Sequence, residues 1–241
     1  MLSSQAQLSL HWQWNANYQP EWYSLSARPG YLRLNAQPEV VGANKNLWLM
    51  PSLLLQKLSA PNFRVDVKVD FPEQLGEVTA GLLIFGEDYA WIGFRSNSNT
   101  DSVEIGYGAC HGARIGCSES FTPVEQIPLD KTREARSIEL RVTMNEGGSS
   151  VFAYKLANGR YRTIGEMFQA TPGRWVGAKM GLFARIDAQA ADSLKTNKIE
   201  QGATEHNYID VDFFRVTTPT PQFIGVAQCS LVTLLDQLQW R

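Results

Sequence analysis

Residues 63–71 read FRVDVKVDF, and apolar and polar side chains alternate there without a break. Phe63, Val65, Val67, Val69 and Phe71 fall on one side; Arg64, Asp66, Lys68 and Asp70 fall on the other. A sustained period of two marks a strand with one face buried and the other wet, as in an antiparallel sheet. Ile138, Leu140, Val142 and Met144 repeat the pattern against Glu139, Arg141 and Thr143, and YIDVDFFRV at 208–216 supplies another such strand. The runs AGLLIF (80–85) and AWIGF (90–94) are apolar throughout. They suit central strands covered on both faces, joined by a turn at Gly86-Glu87-Asp88-Tyr89.

Turn chemistry punctuates these strands. Asn158-Gly159 sits between two alternating runs, VFAYKLA and RYRTIG, which is the strongest short hairpin signal a sequence offers. Asn145-Glu146-Gly147-Gly148 marks a second turn. Convincing helices are nearly absent up to residue 216, and no internal repeat is visible. Many short strands separated by Gly, Asn and Pro predict an all-β fold, a two-sheet antiparallel jelly-roll sandwich over residues 1–216. Residues 187–207 are polar and read as a long surface loop. TTPTPQ (217–222) reads as an extended linker, and Leu231, Leu234, Leu235 and Leu238 at i, i+3, i+4, i+7 predict a short amphipathic helix in the tail 217–241.

The totals bound the function. At 241 residues with a hydrophobic fraction of 44%, the chain can bury a substantial core. A net charge of −2 with interspersed signs gives no electrostatic case for nucleic acid or for an anionic membrane. No apolar run is long enough to span a bilayer. The N-terminus, MLSSQAQLSL, lacks the basic and apolar regions of a signal peptide, so the expectation is an intracellular protein or a piece of a larger one. Cys110, Cys117 and Cys229 form neither a disulfide framework nor a zinc ribbon. Reduced thiols are the plain reading, with a Cys110–Cys117 loop disulfide as the alternative.

Aromatic residues crowd the start of the chain. Trp12, Trp14, Trp22, Tyr23 and Tyr31 lie beside Asn15, Asn17, Arg28, Pro29 and Gly30. Flat apolar faces flanked by amide and guanidinium donors suit sugar binding, whereas packing between two sheets is the ordinary use of such rings. The signatures of catalysis are missing. Glycoside hydrolysis needs two carboxylates about the scissile bond, and sandwich glucanases array them along one strand as E-x-D-x-E or E-x-D-x-x-E. Asp66/Asp70 and Asp210/Asp212 are the nearest approach, and neither pair has a Glu at that spacing. The Q-I-H strand of sandwich lyases, G-x-S-x-G, H-E-x-x-H, the P-loop and the Rossmann fingerprint are absent too. His11, His111 and His206 all lack a catalytic context.

Taken in order, WQWN (12–15), RPGYLRL (28–34), NLW…LLLQK (46–57), AGLLIFGEDYAWIGF (80–94), GRWVGAKMGLF (173–183) and YIDVDFFRV (208–216) closely resemble a known module. It is the C-terminal β-sandwich of many family 43 glycoside hydrolases, the β-xylosidases and α-L-arabinofuranosidases. The resemblance implies a concanavalin A-like fold and an accessory role directed at xylan or arabinoxylan, with the catalytic acid and base on a separate five-bladed propeller. In related xylosidases a sandwich loop projects an aromatic residue into the mouth of the propeller's active site. The loop entering VGAKMG is the counterpart here and nominates Trp175 and Arg174. The 187–207 loop and the 217–241 tail depart from the family pattern.

A neutral xylan offers no charge to grip, so rings and neutral donors are the appropriate chemistry. The candidates are Trp14, Asn15, Asn17, Trp22, Arg28, Gln56, Trp91, Arg174 and Trp175. Each has a plainer reading. Trp12 and Trp14 share a strand face and can both be core; Asn15 and Asn17 can close a turn. Arg28 can satisfy backbone carbonyls, and Trp91 lies in an apolar run. Trp175, between Arg174 and Gly177, is the hardest to explain as packing. No cofactor is required. Asp210 and Asp212 on the last strand invite a structural Ca2+, which would need six to eight oxygens.

Overall fold

The computed structural model describes residues 7–40, 46–72, 75–97, 102–128, 136–157, 159–186 and 207–218. Fifteen strands lie among them: β1 (Gln13–Trp14), β2 (Tyr23–Ser24), β3 (Leu32–Asn35), β4 (Gln37–Pro38), β5 (Leu54–Lys57), β6 (Phe63–Asp70), β7 (Thr79–Phe85), β8 (Tyr89–Asn97), β9 (Ser102–Cys110), β10 (Ser120–Pro128), β11 (Ser137–Met144), β12 (Ser149–Leu156), β13 (Arg162–Gln169), β14 (Lys179–Ile186) and β15 (Tyr208–Thr217). One sheet has the order β1-β5-β14-β7-β8-β9-β10, with the short β4 parallel to β14. The other runs β13-β12-β11-β6-β15-β3-β2. Two antiparallel sheets packed face to face make the expected sandwich, of concanavalin A type.

The alternation at 63–71 does what its period implies. Val65, Val67 and Val69 of β6 are fully or almost fully buried between the sheets. They pair in register with Val142, Leu140 and Ile138 of β11 on one side. On the other, Val69, Val67 and Val65 meet Val211, Phe214 and Val216 of β15, with a bulge between Val211 and Phe213. The wet face is a ladder of charge: Lys68 pairs with Asp212 at 2.8 Å, Lys155 with Glu139 at 2.8 Å, and Arg64 and Arg141 both with Asp66, at 3.1 and 2.5 Å. Like β6, β7 carries out its pattern: it is buried at every position, because its two faces belong to two different cores.

Ala80, Leu82 and Ile84 of β7 face the interior between the sheets. Leu83 and Phe85 face outward into a second core with Tyr89 and Trp91 of β8 and Phe183 of β14. That outer core is roofed by Leu47, Met50 and Leu53 from the segment leading into β5, and by Ala113 from the β9–β10 loop. Sequence periodicity does not reveal the roof, since each covering segment carries no more than a single 3-10 turn. Cys110 and Cys117 are joined by a disulfide with a Cα–Cα distance of 5.9 Å, where reduced thiols were the plainer expectation.

The crowded aromatic stretch also finds its reason. β1 belongs to one sheet and β2 to the other, so residues 13–24 cross between the sheets at one edge. Their rings close that edge: Trp12 meets Phe214 at 4.8 Å, and Trp14 meets Trp22 at 5.3 Å and Tyr23 at 5.7 Å. The hairpin between β12 and β13 is present, although Asn158 itself lies outside the described residues. So do His206, nearly all of the 187–207 loop, and the tail from residue 219, including its proposed helix. No helix among the described residues is long and apolar enough to cross a membrane.

Tyr107 gives the fold an alkaline limit. Its ring is edge-on to Phe152 at 5.4 Å, and a Cβ placed on Gly165 would lie 2.5 Å from it. Burial, assisted by the charge of Glu166, pushes its pKa up to about 12. The folded state therefore prefers the neutral phenol, and the stability tied to it is present below the unfolded value near 10 and lost as pH rises through about 12. Thermal midpoints are expected to fall across that window, and Tyr107→Phe to flatten part of the fall. An unchanged slope in the variant would contradict this.

Candidate functional site

The sequence-predicted residues do not converge on one surface. Trp22 is buried, and Trp14 is half-buried within the edge cluster. The Asn15 amide donates to the carbonyls of Met50 at 3.0 Å and Trp48 at 3.4 Å, so it ties the chain start to the distant roof segment. Asn17 is exposed. Gln56 is 5% exposed and shares the inward face of β5 with Leu54, opposite Met180, so its side chain belongs to the interior. Trp91 is fully buried in the outer core.

Arg28, a ligand candidate whose plainer reading was a bond to backbone carbonyls, is held by carboxylates. Its guanidinium pairs with Asp70 at 2.9 Å and Asp210 at 3.4 Å and lies over the Tyr31 ring at 3.4 Å. Asp210 is also held by Arg33, at 2.8 and 3.0 Å. The hydrogen bond to Asp210 is the main influence that raises the Arg33 pKa against its burial. Asp212 takes the Lys68 ammonium at 2.8 Å. Calcium needs a cage of oxygens, and here both acids face cations instead. Among the described residues, no group of three or more His, Cys, Asp or Glu could hold a metal ion. The donor set does not fit Ca2+.

One pair of acids does come together, and sequence reasoning missed it. Arg185 of β14 reaches Glu39 at 3.1 Å and also bonds Glu119, with side-chain exposures of 5% for the arginine and 4% for Glu119. Tyr89 donates its hydroxyl to Glu119 at 2.7 Å and accepts from the Leu47 amide at 2.9 Å. Burial opposes the guanidinium's charge, but Glu119 and Glu39 more than offset it, so the Arg185 pKa is raised. The glutamates are 80 residues apart in sequence (119 minus 39), so no motif could have disclosed them. A shared guanidinium locks both, which is structural chemistry and not that of a free acid and base.

Arg174 and Trp175, both exposed, lie at the loop end of the sandwich. The β7–β8 turn docks on the β13–β14 loop, with Glu87 N–H bonding Pro172 at 3.0 Å and Asp88 N–H bonding the Thr171 hydroxyl at 2.8 Å. It docks equally on the disulfide loop, through Ala113 N–H to Glu87 at 2.8 Å. Asn46 links that loop to the roof through the carbonyls of Ala113 and Cys117. Within this rigid rim, residues 173–176 make a tight turn, and Trp175 at its tip is 89% exposed with φ of +69°. The Arg174 guanidinium lies 5.4 Å from its ring. Left-handed backbone costs an L-residue roughly 1–2 kcal/mol, and a large exposed ring is held there all the same.

Residues 4–217 match the family model of the β-xylosidase C-terminal concanavalin A-like domain. The chain belongs to this family. A β-xylosidase from Formosa agariphila is 23% identical over 232 residues, spanning 88% of this chain and 33% of that protein. The chain therefore covers about a third of that relative's length. Among solved structures, a bifunctional GH43-CE protein of Bacteroides eggerthii superposes with a TM-score of 0.65 at 23% identity, over 88% of this chain and 24% of that one. A xylan β-1,4-xylosidase from Bacillus halodurans gives a TM-score of 0.63 at 18% identity, over 88% and 37%. These superpositions speak to the fold.

Proposed function

We propose that the chain is a non-catalytic accessory module of a xylan-degrading glycosidase and that Trp175, with Arg174 against it, is its contact with the glycan. The observation that carries this is the ring itself, almost wholly exposed on strained backbone at the tip of a loop that its neighbours hold in place. Xylan or arabinoxylan would stack on the indole, and bond cleavage would fall to a propeller domain. The family and the size of the relatives support that division. So does the locking of Glu39 and Glu119 by Arg185.

Calorimetry or affinity electrophoresis with xylan, xylo-oligosaccharides and arabinan tests the reading. Trp175→Ala is expected to weaken binding roughly 10-fold or more, as loss of a central aromatic contact does. Trp175→Gly should lose binding too while keeping or raising the thermal midpoint, because glycine accepts the left-handed turn without strain. Binding untouched by either change would defeat the proposal.

A second reading rests on Leu49, Ile115 and Val176, which are 60%, 80% and 51% exposed at the same loop end. An apolar rim of this kind suits a surface that buttresses a propeller. In that case the isolated chain binds no sugar, and Trp175→Ala alters only the activity of the assembled enzyme.

A further inference from the structure

The register of β5 against β14 places Lys57 directly opposite Lys179. Both project from the outer face, since Leu55 and Phe183 on alternate positions of the same strands belong to the outer core. Like charges directly opposite across a ladder repel one another, and among the described residues no carboxylate pairs with either ammonium. Burial, then the charge of Lys57, lowers the Lys179 pKa. The Lys179 ammonium donates to Gln13 Oε1 at 3.0 Å, which leaves the Gln13 amide nitrogen as a donor. On its other side Lys179 is in register with Phe85, on which the half-buried Trp48 ring stacks at 5.8 Å. An uncompensated cation pair beside an indole and an amide is a local conflict of the kind that folds retain at functional positions.

We infer that Lys57, Lys179, Gln13 and Trp48 form a second glycan subsite, one that takes a carboxylate-bearing sugar, a hexuronate branch on the polysaccharide. The inference rests on the glycan-binding reading and adds a substrate class to it. The two ammoniums supply the charge that a carboxylate seeks, the amide takes a ring hydroxyl, and the indole offers an apolar face. A neutral xylose backbone would use the ring and the amide and leave the lysines idle.

The test compares glucuronate-substituted xylotetraose with its carboxyl-reduced counterpart by calorimetry, using the full chain. The acidic ligand is expected to bind about 5- to 10-fold tighter, as two ion pairs near the surface allow. The double substitution Lys57→Gln/Lys179→Gln should abolish that ratio while leaving the thermal midpoint equal or higher, since it removes a repulsion. Trp175→Ala should weaken both ligands together and preserve the ratio. Equal affinities in the unaltered chain would overturn the subsite and leave glycan binding standing, as would a ratio that survives in the double variant. Binding of neither ligand would remove both readings.

Discussion

Arg185→Ala is expected to cost about 3–5 kcal/mol of folding stability, the range found when one partner of a buried ion pair is removed. The size follows from what is left behind. Among the described residues, Glu119, almost fully enclosed, keeps only the Tyr89 hydroxyl, and its second oxygen loses its charged partner. Glu39 loses its contact as well but is nearer solvent, at 15% side-chain exposure, so its share is smaller. The damage also spreads, because Tyr89 accepts from Leu47 and so couples the cluster to the roof of the outer core. Urea unfolding should show the midpoint falling with little change in slope. Arg185→Met combined with Glu119→Gln removes both charges and keeps an acceptor for Tyr89, and should recover much of the loss. A single variant within about 1 kcal/mol of the parent would mean that the pair is solvated after all.

This cluster also marks the limit of what local sequence encodes. The period of two along β6, β11 and β15 was legible because half-burial writes itself into neighbouring residues. Both the fully apolar runs and the Asn-Gly hairpin were legible for the same reason: each is a local decision. Arg185, Glu119 and Glu39 owe their meeting to sheet order, which no local pattern encodes. The same holds for Lys57 and Lys179, whose opposition exists only once β5 and β14 are in register. Trp14, Trp22 and Asn15 have a composition that suits a sugar platform, and the crossing from one sheet to the other accounts for it equally well. Trp175 is legible from sequence as exposed, because a large ring among glycine and arginine has no periodic partner to pack against.

The outer core yields the other large effect. Trp91→Ala is expected to destabilise by about 3–5 kcal/mol, through lost burial and a cavity its neighbours cannot fill. The ring is fixed on three sides: stacked on Phe121 at 5.4 Å, edge-on to Phe183 at 5.2 Å, and flat over Gly108. A Cβ at Gly108 would lie 2.2 Å from the indole Cε2 and Nε1 atoms. Real contacts do not come that close, so Gly108→Ala forces the ring out of place and should itself cost on the order of 1–3 kcal/mol. The two substitutions share one volume, and their costs should therefore not add. With Trp91 already replaced by Leu, the added methyl at Gly108 occupies space the indole has vacated, and its penalty should shrink or change sign. Measured by chemical denaturation of all four combinations, additive losses would mean that glycine at 108 serves the strand backbone, not the ring lying over it.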